Sequence, residues 1–82
     1  MYKNKAKNGK LNISGEQIKM RRKELHISQR ALADRLQLLG IDLNKNAIQR
    51  IESGQRFVTD IELQVIAKLF DTTTDSLLKE QE

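Results

Sequence analysis

Four times along this chain an apolar residue is followed by Ser, Thr or Asn, and four residues after that polar residue another apolar one appears. The four are Ile13-Ser14 with Ile18, Ile27-Ser28 with Leu32, Leu43-Asn44 with Ile48, and Val58-Thr59 with Leu63. The spacing is that of a helix start: the capping oxygen accepts a backbone N–H of the first turn while the flanking apolar pair closes over it. Ser14 with Gln17 and Thr59 with Glu62 add a reciprocal capping box. A fifth start, Thr73 ahead of TDSLL, has the cap and Leu77 but Thr72 where the others carry an apolar residue.

These starts predict helices over 15–26, 29–39, 45–53, 60–70 and 74–80. Gly40 and Gly54 stand where the second and third should stop, since glycine takes the left-handed conformation without a Cβ penalty. Asp71 holds that place, less favourably, after the fourth. Each segment offers one apolar stripe: Ile18 and Leu25; Leu32, Ala33, Leu36 and Leu39; Ala47, Ile48 and Ile51; Leu63, Ile66, Ala67 and Phe70; Leu77 and Leu78. No stripe can bury itself, so the five helices must close around a shared centre. Ile61, Val65 and Leu69 widen the stripe of the fourth, which makes it the expected central packing helix.

Composition agrees with an all-α reading. The 82 residues suit one domain, proline is absent, and Tyr2, Phe57 and Phe70 are the aromatics. A chain this short buries only about 60% of the surface its unfolded form exposes. With no cysteine and no cluster of metal-ligand spacing, neither a disulfide nor a zinc ion can reinforce it, so helix packing must suffice. The expectation is a compact five-helix bundle over residues 13–80, preceded by a disordered basic tail (1–12, with Lys3, Lys5, Lys7 and Lys10) and followed by a short tail (81–82). No apolar run approaches the roughly 18 residues of a membrane span, so a soluble cytoplasmic protein is expected.

Net charge is +4 with a pI near 9.6, which suits a polyanionic partner without requiring one. The informative stretch is NKNAIQRIESGQRFV at 44–58. At about 100° per residue, Lys45, Asn46, Gln49, Arg50 and Ser53 share one helix face, while Ala47, Ile48 and Ile51 share the opposite one. By charge alone that polar face reads as a solvated surface. The second and third helices, joined by a short connection, form a helix-turn-helix pair, with small Ala33 facing Ile48. In that setting the donor-rich tips become able to reach base edges, Gln and Asn matching adenine, Arg and Lys matching guanine.

No catalytic site is legible. His26 has no Cys, Asp or Glu partner at catalytic or ligand spacing and reads as a polar helix-end residue. The hydroxyls of Ser14, Ser28, Thr59 and Thr73 are accounted for as caps. Asp34, Asp42, Asp60 and Asp75 are scattered over different elements. An enzyme, a cofactor, a metal site and a small-molecule ligand are therefore not expected.

ISQRALADRL at 27–36, AIQRIESGQR at 47–56, and TDIELQVIAKLF and DSLL further on resemble, together and in this order, the phage-repressor-like (lambda-repressor-like, XRE-type) helix-turn-helix domains. The resemblance spans roughly 13–79. It implies base reading by Lys45, Asn46, Gln49 and Arg50, and contact with the DNA backbone by Ser53 and Arg56. Gln29 would bridge a phosphate and the recognition helix, and a structural Arg22–Glu52 pair would tie the first helix to the third. The chain departs from the family pattern in three places. LQLLGIDLNKNA at 36–47 replaces a shorter connection, as in a subgroup with a lengthened turn. Arg21 replaces an apolar residue, its stem expected along the core and its head in water. Asp71 replaces a common glycine.

The resemblance implies a sequence-specific transcriptional regulator, a repressor binding a palindromic operator in double-stranded DNA as a homodimer. The dimer surface is left open between the fifth helix (Leu77, Leu78) and the loop around Phe57. The other readings are an antitoxin or similar protein-interaction module using the same bundle, and the DNA-binding piece of a larger regulator. Met1 at the start and the polar EQE end favour a complete chain over that last reading.

Overall fold

Residues 9–79 are described by a computed structural model, and they turn into helix at the five places where the sequence carries its caps. The elements are α1 (Gly15–Glu24), α2 (Gln29–Leu38), α3 (Lys45–Ser53), α4 (Asp60–Leu69) and α5 (Thr74–Leu77), with no strand among the described residues. At four starts the expected side-chain oxygen accepts the backbone N–H three residues on: Ser28 from Ala31 at 3.0 Å, Asn44 from Ala47 at 2.8 Å, Thr59 from Glu62 at 3.1 Å, and Thr73 from Ser76 at 3.1 Å. The Thr59–Glu62 box is complete, because Glu62 Oε1 accepts the Thr59 N–H at 3.0 Å.

Ser14 is the exception. Its backbone is already helical and its side chain makes no capping bond. Asn12 takes the role instead, its Oδ1 accepting the Gly15 N–H at 2.8 Å. Asparagine caps at least as well as serine, and here its amide group has a second use that a hydroxyl lacks, described below.

The first four helices end in one bonded pattern. His26, Gly40, Gly54 and Asp71 all have positive φ (57°, 89°, 81° and 55°). Each donates its N–H to the carbonyl three residues back, while the next residue donates to the carbonyl five back, as Gln55 does to Arg50 at 2.8 Å. That closure satisfies carbonyls that the helix leaves without partners. It also stops α1, α2 and α4 one or two residues before the expected ends, while α5, which lacks this closure, ends three residues early at Leu77, so that several stripes lose their last position from the core. Leu25, Leu39 and Leu78, expected inside, are exposed.

The helices pack as a closed ring in which α3 lies on α2, α2 on α4, α4 on α5, α5 on α1, and α1 on α3. No helix is central, contrary to the expectation for α4, because its widened stripe turns outward at Ile61, which is 65% exposed. The ring encloses Ile18, Leu32, Leu36, Ile48, Ile66 and Leu77, none of them with any exposed surface, together with the small residues Ala33 and Ala67. Residues 1–8 of the expected basic tail, and 80–82 at the other end, lie outside the described residues. Residues 10–12, assigned by sequence to that tail, are bonded to the bundle: the Leu11 N–H donates to the Gly54 carbonyl at 2.8 Å, and Lys10 Nζ meets Glu16 Oε1 at 3.1 Å.

The tightest point of the ring is where α1 begins against the last turn of α3. A Cβ on Gly15 would run into the carbonyl oxygen of Ile51, a backbone atom that cannot step aside. Gly15→Ala is therefore expected to destabilise the fold by about 1–3 kcal/mol, as overpacking does, despite the higher helix propensity of alanine. Thermal melting followed by circular dichroism checks this, with Tm expected to fall by about 4–8 °C for each kcal/mol lost.

Candidate functional site

α3 is amphipathic in the sense its sequence predicts. Ile48 and Ile51 are buried and Ala47 half-buried, while Lys45, Asn46, Gln49, Arg50 and Ser53 stand exposed on the opposite face. Ser53 Oγ donates back to the Arg50 carbonyl at 3.2 Å. The side chains of Lys45, Asn46, Gln49 and Arg50 have no hydrogen-bond or ion-pair partner among the described residues. Two cations and two amides thus occupy one accessible face with all their donors available. The helix start beneath them carries no acidic residue in its first turn.

The flank of α3 next to Lys45 is bonded to α1 and α2. Glu52 is buried, and its carboxylate takes Arg22 Nε of α1 at 2.7 Å and Arg22 Nη2 at 3.0 Å. Gln29 Nε2 of α2 donates to the same carboxylate at 3.1 Å, and Arg22 Nη1 reaches the Ile27 carbonyl at 2.8 Å. The side chains of Arg22 and Glu52 retain only 11% and 3% of their exposure. The hydrogen bonds to Glu52 raise the Arg22 guanidinium above its ordinary value despite its desolvation. Arg22 and Glu52 come together as the resemblance implies, and Gln29 joins them.

Asn12 holds the C-terminal end of α3, and sequence reasoning passed over it. Its Nδ2 donates to the Ile51 carbonyl at 3.0 Å and to the Arg56 carbonyl at 2.7 Å, while its Oδ1 caps α1. One amide side chain therefore starts one helix and closes another. The usable signal was an Asn three residues ahead of Gly15, hidden by the Ile13-Ser14 pair that imitates the other starts.

Arg56, expected to be available to DNA, is engaged within the protein. Nη1 meets Glu62 Oε1 at 3.0 Å and the Phe57 carbonyl at 2.8 Å, and Nη2 meets Glu62 Oε2 at 3.1 Å. Hydrogen bonding to Glu62 raises the guanidinium, and the same bond, helped by the Thr59 N–H, holds the Glu62 carboxyl below its ordinary range. Arg21 also differs from expectation. Its head does not end in water; Nη2 donates to Ser76 Oγ of α5 at 2.6 Å, and Nε is buried with no partner. Among the described residues no group of His, Asp and Glu has the arrangement of a metal site, and no helix is long and apolar enough to cross a membrane.

Comparison with known proteins places this geometry. A helix-turn-helix family model matches residues 18–77, most of the chain and part of every helix. Among solved structures, the chain is similar to the P22 c2 repressor protein, whose crystal structure is of a complex with synthetic operator 9T in the presence of Tl+. The two share 30% identity at a TM-score of 0.68, over 85% of this chain and 98% of that one. No curated protein matches the sequence.

Removing one member of the buried pair leaves an uncompensated charge. Glu52→Ala is expected to cost about 3–5 kcal/mol in urea unfolding, whereas Arg22→Met with Glu52→Leu recovers most of that loss. Glu62 gives a pH signature. Because its folded carboxyl titrates below the ordinary value of 4.5, its stabilisation is fully present above that value and is lost as pH falls through the lower, folded one. Melting of the protein and of Glu62→Gln in a series from neutral to acid pH should show the difference between them shrinking on the acid limb.

Proposed function

The chain belongs to the lambda-repressor-like (XRE-type) helix-turn-helix family, and from that membership we propose that it is a sequence-specific DNA-binding transcriptional regulator of the repressor type. The observation that carries the reading is the exposed, unpaired row of Lys45, Asn46, Gln49 and Arg50 on a helix locked by Glu52 at the flank of that row. A helix so presented fits a major groove, where amide and guanidinium tips can pair with base edges, each good bidentate contact discriminating by about 1–3 kcal/mol. Ser53 and Arg56 at the far end, and Gln29 beside Glu52, would take phosphates and set the register. Gln29 spends one amide hydrogen on Glu52, so the second can reach outward, which is the bridging role.

So few contacts bind weakly, and two copies related by a two-fold axis would set their third helices about 34 Å apart in successive major grooves of a palindromic operator. Leu77 is fully buried and so takes no part in a dimer contact. We favour the loop into α4 and its first turn, with Phe57 at 51% and Ile61 at 65% exposure, over α5, which offers Leu78 at 39%. A site overlapping a promoter would then exclude polymerase in the cytoplasm, where such a regulator acts.

Selection of bound duplexes from a random pool tests the reading. The expected result is an enriched palindromic motif whose preferred bases change for Gln49→Ala and Arg50→Ala. An unchanged motif with uniformly weaker binding moves those two residues to the backbone class. No enrichment at all returns α3 to a solvated or protein-binding surface.

A further inference from the structure

Arg56 is held at both ends. Its backbone carbonyl accepts from Asn12 at 2.7 Å, and its guanidinium sits end-on against the Glu62 carboxylate at 3.0 and 3.1 Å. The inner edge of Nη1 is closed by the Phe57 carbonyl at 2.8 Å. A guanidinium has five N–H groups, and these bonds use three. The two that remain, on Nε and on the neighbouring side of Nη2, form the planar side fork that matches a phosphate bidentately. The side chain keeps 32% of its exposure against 14% for Glu62, so the carboxylate is the more covered of the two.

Resting on the DNA-binding reading above, we propose that Glu62 is a positioning residue for DNA: it pins the Arg56 guanidinium so that its Nε–Nη2 fork is presented to a backbone phosphate. A loose arginine would give up its rotamer freedom on contact, whereas this one has already done so in the free protein. Glu62 is itself fixed, because the Thr59 N–H donates to it at 3.0 Å in the capping box of α4. The chain of restraint thus runs from the start of α4 through a carboxylate to the phosphate contact. A carboxylate near a polyanion would otherwise simply oppose binding, and that opposition gives the test its sign.

Glu62→Gln removes the charge and keeps a residue able to complete the capping box, so the fold is retained, which melting verifies. Affinity is read by titration against the duplex recovered from the pool and a mixed-sequence duplex of about two helical turns, over a potassium chloride series. The expected result is that removing a negative charge weakens binding, by about threefold to tenfold, and lowers the slope of log K against log salt by up to about 0.9, the value of one phosphate contact. In an Arg56→Ala background the same substitution should not weaken binding. Equal or tighter binding by Glu62→Gln in the otherwise unchanged protein overturns the inference, leaving Glu62 a competitor for Arg56. A loss of the same size in the Arg56→Ala background overturns it too, because the effect then runs through the fold. If the unchanged protein binds neither duplex at any salt, the DNA-binding reading itself falls and takes this inference with it.

Discussion

The carboxylate of Glu52 is the joint on which the arrangement turns. It is carried by α3, buried, and bonded by Arg22 from α1 and Gln29 from α2. Three helices of the ring therefore meet at two oxygen atoms. A buried ion pair is a poor source of net stability, because desolvating both charges offsets most of their attraction. Its geometric effect is different. An apolar contact tolerates sliding, whereas a side-on pair at 2.7 and 3.0 Å with a third donor fixes both distance and orientation. The roll of α3 about its own axis, and with it the direction of Lys45, Gln49 and Arg50, follows from that constraint.

The connection between α2 and α3 shows how local this control is. LQLLGIDLNKNA runs through the very motif whose geometry matters, and the residues between the two helices fold back on the bundle. Gly40 turns the chain through positive φ, the Ile41 N–H returns to the Leu36 carbonyl at 2.9 Å, and Leu43 is buried ahead of the Asn44 cap. The staple that starts α3 is thereby also an anchor for the connection. Leu38 is left outside at 87% exposure, as expected where a helix is prolonged past its packing partner. The pairing of α2 with α3 is kept.

Much of this was legible because capping is local chemistry. Ser28, Asn44, Thr59 and Thr73 act within three residues of themselves, and the stops at Gly40, Gly54 and Asp71 require only a tolerated positive φ. What was not legible depends on chain segments that meet only after folding. Asn12 outcompetes Ser14 because the end of α3 offers it two carbonyls, at Ile51 and Arg56. Gly15 is a close-approach glycine only because α1 begins against Ile51. His26 closes α1 in the left-handed region, where histidine is uncommon but tolerated. Of the site, the exposed face of α3 and the Arg22–Glu52 pair followed from periodicity and resemblance. The engagement of Arg56 did not, because Glu62 was fully explained as half of a capping box.

The residues on and around α3 differ in how much order they already possess, and that difference bears on the proposed recognition. Each long side chain immobilised at an interface costs about 0.5–1.5 kcal/mol. Arg56, Gln29 and Glu52 are ordered by the fold, so a contact through the first two adds little of that cost. Lys45, Asn46, Gln49 and Arg50 have no partners and would be ordered only by the groove they enter. Under the proposed role, a wrong sequence would leave their donors unpaired after the ordering had been incurred, while backbone contacts would remain available. Under the proposed DNA-binding role, a framework ordered in advance would fix where the protein sits, and the late-ordering tips would decide whether it stays.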